Sequence, residues 1–291
     1  MKRPFFIIIV VSYNAGDKLI ETIESVKRQS FPGYRIFVKD GMSTDGSIEK
    51  LKARYNVGYT DDEEDKDLTL MESCDTGIYH AMNIAVANLG QKELKTGEVP
   101  SYIFFLNCGD TFRDENVLRD VHDAIIDINA KNGTIVPSIY YGDIFDCSTG
   151  NRVHSNPKID DYACYRNLPS HQACFYDERL IYNNPFELRY KVRADYEQFL
   201  RCYYREKAFT SYIPRIIADY EGGGFSDKNR KLSEEERKEI IKLYLTGAQI
   251  RKYDMLRVLT LAKVRTKLAE SKVTSGVYNK IRSAVYKMKE K

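Results

Sequence analysis

Four short polar clusters stand directly behind apolar runs in the first third of the chain. They are Ser12-Tyr13-Asn14, Asp40 to Asp45, Glu72 to Gly77 and Asn107 to Asp110. Their residue types define a chemistry. Carboxylates can hold a divalent cation against a diphosphate, amides and hydroxyls can hydrogen-bond a polar ligand, and a tyrosine at a strand end can stack on a base. Several other chemistries are disfavoured. No Gly-x-Gly-x-x-Gly follows the first apolar run, and neither a Gly-x-x-x-x-Gly-Lys-Ser/Thr loop nor a Gly-x-Ser-x-Gly elbow occurs. The six cysteines (Cys74, Cys108, Cys147, Cys164, Cys174, Cys202) lack the paired spacing of a zinc or redox motif. They read as reduced thiols. No pair of histidines has metal-ligand spacing.

The elements that must carry these clusters alternate between strand and helix. Phe5–Val11 reads as a buried strand, and Leu19, Ile20, Ile23 and Val26 recur at helical spacing behind Asp17, a candidate cap. Arg35–Lys39, Leu68–Met71 and Tyr102–Leu106 read as further strands, with helices over about 47–55 and 79–89 between them. Such alternation implies right-handed crossovers and a mostly parallel sheet, with ligands beyond the carboxyl ends of its strands. One polar turn would mean little; four delivered to the same rim imply a site. The acidic loop from Asp61 to Asp67 reads as a solvated surface segment. From about residue 135 to 220 the pattern is mixed and rich in tyrosine, with a helix over about 195–205 and two short strands, Phe209–Ile213 and Ile216–Tyr220. Ser233 and Glu236 have capping-box spacing and open a helical region that runs to Lys291.

In order along the chain, Val10-Val11-Ser12-Tyr13-Asn14, Asp40-Gly41-Met42-Ser43-Thr44-Asp45-Gly46-Ser47 and Leu106-Asn107-Cys108-Gly109-Asp110 resemble the motifs of glycosyltransferase family 2. The segment Glu72 to Asn83 resembles a bacterial exopolysaccharide branch of that family, colanic-acid-type enzymes among them. His171-Gln172-Ala173, Ala194-Asp195-Tyr196 and Gly222-Gly223-Gly224-Phe225-Ser226 fit the same branch, so the resemblance spans roughly residues 4 to 226. It implies an α/β protein of the GT-A nucleotide-diphospho-sugar transferase fold, a mostly parallel central sheet flanked by helices with a C-terminal helical extension. It further implies that Ser12, Tyr13 and Asn14 cradle the nucleobase, that Asp40 positions the nucleoside, and that Asp75, Gly77 and Asn107 shape the pocket near the ribose and sugar. His171 and Gln172 would face donor or acceptor. Asp110 would bind one Mg²⁺ or Mn²⁺ ion at the donor diphosphate, and Asp195 would be the catalytic base of an inverting transfer. Two departures stand out. Gly41 occupies a position where many members have a second acid, and Asn107 and Gly109 leave Asp110 as the lone carboxylate of its element.

Bulk properties fit such an enzyme. The 291 residues, net charge of +3 and 43% hydrophobic content describe a globular chain with no excess charge for nucleic acid. The expected organisation is a catalytic domain over 1–230, its nucleotide-sugar half at 1–110 and acceptor half at 111–230, followed by a basic helical extension over 231–291. From Arg251 onward basic residues outnumber acidic ones by roughly twelve to three. Met255, Leu256, Val258, Leu259, Leu261, Ala262 and Val264 supply apolar positions among them, a pattern suited to an anionic membrane surface as well as to a packed helix. The short apolar run at the N-terminus lacks a signal-peptide cleavage site, and no stretch is long enough to span a bilayer. The expected location is therefore cytoplasmic, with peripheral attachment to the inner face of the plasma membrane. The expected partners are a nucleotide-sugar donor, probed first as a UDP-sugar, and a saccharide or lipid-linked saccharide acceptor. A nucleotidyltransferase and a catalytically silent nucleotide-sugar-binding module are the competing readings.

Overall fold

A run of seven residues with both faces apolar can be satisfied only in the middle of a covered sheet. Phe6–Ser12 (β1) takes that place in the computed structural model, which describes residues 5–57, 67–89, 99–133, 135–223 and 229–259. It pairs in parallel with Tyr34–Asp40 (β2) on one side and Tyr102–Asn107 (β4) on the other; β2 pairs in parallel with Leu68–Glu72 (β3). Alternate residues feed two cores. Phe6, Ile8 and Val10 face one cluster, whereas Ile7, Ile9 and Val11 face the other. Each such fully buried side chain contributes about 1.5–3 kcal/mol.

The helices Asp17–Lys27 (α1), Ser47–Tyr55 (α2) and Ile78–Asn88 (α3) are the crossovers. Beyond β4 come Thr111–Phe112 (β5), Val117–Asn132 (α4), Ser138–Asp146 (β6), Asn151–Val153 (β7) and Asp161–Arg166 (α5). A single 3₁₀ turn, His171–Ala173, then leads into Cys174–Asp177 (β8), Glu178–Asn183 (α6), Ala194–Tyr204 (α7) and Phe209–Tyr220 (β9). The strand order is β3-β2-β1-β4-β8-β6-β9-β5, with β7 hydrogen-bonded to β6. The helices Arg230–Tyr244 (α8) and Gly247–Leu259 (α9) form the C-terminal extension; Ile240, Ile241, Leu245 and Tyr253 sit in the same core as α3 and α7.

The structure corrects three local expectations. The two strands expected after α7 are one, β9, because a register shift against β6 near Gly142 absorbs Pro214. A Cβ at Gly142 would lie 2.6 Å from the Arg215 carbonyl oxygen, so only glycine admits that close approach. Asp17 is not a cap: it is the first residue of α1, and its carboxylate pairs with Lys50 at 2.6 Å. The capping box is also absent. The helix begins at Arg230, three residues before Ser233, and the Ser233 and Glu236 side chains reach into the body of the protein instead. Asp61 to Lys66 of the acidic loop, Gly224 to Ser226 of the glycine-rich segment, and the tail from residue 260, with Leu261, Ala262 and Val264, lie outside the described residues.

Candidate active site

The carboxyl ends of β1, β2, β3 and β4 meet on one edge, as parallel crossovers require, and their turns are laced together. The Asn14 amide N–H donates to Ser43 Oγ (2.8 Å) and Asn14 Oδ1 accepts from the Thr44 N–H (2.9 Å). Gly16 N–H donates to Asp45 (2.8 Å), whose other oxygen takes the Ser47 N–H and hydroxyl, fixing the start of α2. Asp40 is fully buried, and its oxygens accept from the Ser43 N–H (2.7 Å) and hydroxyl (2.6 Å). In this arrangement it shapes the rim by holding Ser43. Tyr13 is 68% exposed and presents its ring to solvent at the mouth of the rim, over Gly41.

Gly41 is explained by its surroundings. A Cβ there would come within 3.1 Å of both the Tyr13 ring and an Asp75 carboxylate oxygen. Asp75 thus brings a carboxylate to the place where an acidic residue at position 41 would put one. It accepts from the Gly77 N–H (3.0 Å) and pairs with Lys39. Lys39 has no exposed surface and also donates to the Ser73 carbonyl (2.7 Å). A buried ammonium is tolerable only with such partners. In sequence Lys39 reads as an ordinary strand residue.

A cavity of about 530 Å³ opens beside this rim and is lined by Asn107, Asp110, His171, Gln172, Asp195 and Glu221, among others. The turn carrying Asp110 is held from α1: Thr22 donates its hydroxyl to the Asp110 carbonyl (2.9 Å) and accepts from the Gly109 N–H (3.1 Å). Asp110 caps no helix; α4 starts at Val117 behind Asn116. Its carboxylate accepts the Glu221 N–H (3.0 Å) and a hydrogen bond from Gln172. Burial nevertheless pushes its pKa up to about 6, because few groups offset the cost of a charge there. Glu221 directly follows β9, next to β5, and brings a second carboxylate to this turn, where it pairs with Lys18 at 2.5 Å. In sequence Glu221 reads as the first residue of a glycine-rich loop, with nothing to set it beside Asp110.

Asp195 lines the same cavity from the first turn of α7, 3.0 Å from the Tyr79 hydroxyl, which also lies 2.8 Å from the Val192 carbonyl. The His171 ring is stacked on Phe105 at 5.2 Å and is held neutral by burial. Neither of its ring nitrogens, nor Asn107 Oδ1, has a hydrogen-bond partner. Orphaned buried polar atoms on a cavity wall are what a polar ligand would satisfy. Cys108 is inert as a nucleophile, its thiol pushed up to about 12 by burial. Among the described residues no group of three or more His, Cys, Asp or Glu side chains is placed to hold a metal on its own. Asp110 with Glu221 still fits a cation that keeps waters and draws further ligands from a substrate diphosphate.

The strand order, the polar rim at the parallel strand ends and the carboxylate-lined cavity define a GT-A-type sugar transferase. Comparison with known proteins agrees. The model of Glycosyl transferase family 2 matches residues 7–131. A PGL/p-HBAD biosynthesis glycosyltransferase of Mycobacterium tuberculosis is 30% identical over 231 residues, covering 78% of this chain and 81% of that protein. The chain belongs to glycosyltransferase family 2 and is an enzyme that transfers a sugar from a nucleotide-sugar donor to a saccharide or lipid acceptor. The same fold is seen in S. aureus TarS 1-349 in complex with UDP-GlcNAc, with a TM-score of 0.62 at 16% identity, covering 91% of this chain and 75% of that one. It recurs in the mannosyltransferase PcManGT from Pyrobaculum calidifontis in complex with GDP-Man and Mn²⁺, with a TM-score of 0.57 at 14% identity, covering 100% and 89%.

Proposed function

We propose an inverting, metal-assisted transfer from a nucleoside diphosphate sugar, with UDP as the nucleotide to test first, onto a saccharide or lipid-linked saccharide in surface polysaccharide assembly of the colanic-acid type. The observation that carries it is one cavity lined by both Asp195 and the Asp110–Glu221 pair. In this reading Tyr13 stacks on the base, Ser12, Asn14 and Asp75 border the nucleoside, and Gly77 and Asn107 border the ribose and sugar. Asp40 contributes by holding the turn at Ser43. Asp195 takes the acceptor hydroxyl proton, with the Tyr79 hydroxyl fixing its carboxylate. His171 and Gln172 lie along the wall between donor and acceptor. Asp110 and Glu221 would hold one Mg²⁺ or Mn²⁺, which when bound neutralises charge developing on the departing diphosphate.

The test is release of nucleoside diphosphate from a panel of UDP-, GDP- and dTDP-sugars with alkyl glycoside acceptors and Mn²⁺. Turnover is expected with at least one donor, and Asp195→Asn is expected to lower kcat by about 10²–10⁴-fold while leaving donor binding intact. Binding of a donor with no turnover in the wild type would instead mark a silent module.

Peripheral attachment to an anionic inner membrane face belongs to the same proposal. No helix among the described residues is long and apolar enough to cross a membrane. Met255, Val258 and Leu259 are exposed at the end of α9, while Leu256 packs inward. Truncation after Leu259 preserves the contacts of Tyr253 and Asp254 with the body. It is expected to abolish sedimentation with phosphatidylglycerol vesicles; unchanged sedimentation would remove the membrane from the proposal.

A further inference from the structure

The residues just before Asp195 are held by a carboxylate from the C-terminal extension. Glu236, 6% exposed, accepts from three consecutive backbone amides: Lys191 N–H (2.7 Å), Val192 N–H (3.0 Å) and Arg193 N–H (2.8 Å). Ser233, one turn earlier on α8, accepts from Arg193 Nε at 2.8 Å. The amides of a turn directed at one point form a concave anion site, and here the chain's own glutamate fills it. The turn then passes its order on. The Val192 carbonyl lies 2.8 Å and Asp195 Oδ1 3.0 Å from the Tyr79 hydroxyl, whose single proton the two acceptors share. Arg193 immediately precedes α7, and Asp195 is the second residue of that helix.

We propose that Glu236 is a positioning residue for the base, so that α8 is a working part of the active site. The inference rests on the reading of Asp195 as the base. One carboxylate satisfies three donors that would otherwise be left without partners against the protein, and it does so with charge-assisted bonds. It thereby fixes the turn that sets the direction of the Asp195 side chain. A base must lie within hydrogen-bond reach of the proton it removes, and a displacement of about 1 Å can cost about 100-fold in rate. Glu236 bonds to the turn at 191–193 and not to the turns after β1 to β4, so its loss is expected to fall on the placement of the base and not on donor affinity. A glutamate retained only for stability would affect folding without separating kcat from donor KM.

The full-length Glu236→Gln variant separates these cases. Glutamine presents one acceptor oxygen and sets an NH₂ against an amide donor. The expected result is a kcat at least tenfold lower with donor KM within twofold, in the same donor panel with alkyl glycoside acceptors. Hydrogen exchange measured by mass spectrometry on the peptide containing residues 191–193 should speed up at least tenfold. Combining Glu236→Gln with Asp195→Asn should lower kcat little beyond Asp195→Asn alone, because both act through one group. Faster exchange with wild-type kcat overturns the proposal, as does a parallel loss of kcat and donor affinity. A wild type without turnover on any donor overturns the reading of Asp195 first, and the proposal with it. Should Glu236→Gln fail to fold, Ser233→Ala removes only the Arg193 side-chain link; a kcat about threefold lower at unchanged donor KM is expected, and unchanged kcat counts against the proposal.

Discussion

The turns after β1, β2 and β3 hold one another, whereas Asp110 and Asp195 are each held by a residue from a remote part of the chain. Asn14 meets Ser43 and Thr44, Gly16 meets Asp45, and Lys39 meets Asp75: partners about thirty residues apart, on adjacent crossovers. Asp110 instead receives the Glu221 N–H, Asp195 the Tyr79 hydroxyl, and the turn before Asp195 is gripped by Glu236. The bonds among Asn14, Gly16, Ser43, Thr44 and Asp45 are exposed, so water can replace a lost one there; the Lys39–Asp75 pair, with its buried ammonium, is the exception. In the second, Asp110 and Glu236 are buried, and a partner lost there leaves a polar group stranded. The donor side can therefore vary with modest cost, and its variation should be felt as affinity. Changes on the other side should be felt as rate.

The sharpest probe of the second region is Asp110→Asn. Burial holds the Asp110 carboxyl at about 6, above its unfolded value near 4, so the folded chain binds that proton more tightly than the unfolded one. The folded state then loses stability as pH rises from about 4 to about 6, and above that window the penalty is about 3 kcal/mol. Asparagine keeps the acceptor for the Glu221 N–H without the charge. The metal-free variant is therefore expected to melt several degrees above the wild type at pH 8 and no higher at pH 4. The same substitution should remove stabilisation by Mn²⁺ plus nucleoside diphosphate and lower Mn²⁺-supported turnover by about 100-fold or more. Thermal melts across pH, with and without Mn²⁺, measure the first two effects. A variant less stable than the wild type at pH 8, with Mn²⁺ stabilisation intact, would place the metal elsewhere.

The same contrast explains what can be read from the chain. The apolar runs ending in Ser12, Asp40, Glu72 and Asn107 announce buried strands with polar turns, and four parallel strands leave those turns nowhere else to go than one edge. Asp195 carries no such local mark: Ala-Asp-Tyr at a helix start has meaning only through family resemblance. Glu221 opens a glycine-rich segment and so reads as the start of a loop; only the pairing of β9 with β5 sets it against the Asp110 turn. Lys39 sits in a strand where a lysine ordinarily marks a solvent face; the carboxylate that permits its burial comes 36 residues later. Glu236 is misread for a physical reason too, since a serine three residues before a glutamate is the pattern of a local cap, and only packing reveals that both reach outward from α8. The apolar positions of α9 likewise divide, Leu256 inward and Met255, Val258 and Leu259 outward, which a stripe in sequence does not specify.

A smaller effect tests the donor side. Gly41 departs from the family pattern of a second acid, and the structure places the Asp75 carboxylate 3.1 Å from where a Cβ at 41 would be. If Asp75 supplies the missing acid, Gly41→Asp adds a second carboxylate beside it, with Lys39 as the buried cation already engaged there. The new side chain must also displace the Tyr13 ring, which is exposed enough to yield at little cost in stability. Donor KM is expected to rise about tenfold, equivalent to about 1.4 kcal/mol, with kcat unchanged. The melting temperature should fall by no more than a few degrees. A steady-state titration of the active nucleotide sugar measures it. Tighter donor binding in Gly41→Asp would mean that position 41 lacks an acid the site could use, and that Asp75 does not take its place. A fall in kcat at constant KM would break the comparison itself, because it would tie an exposed turn of the donor rim to the placement of the base.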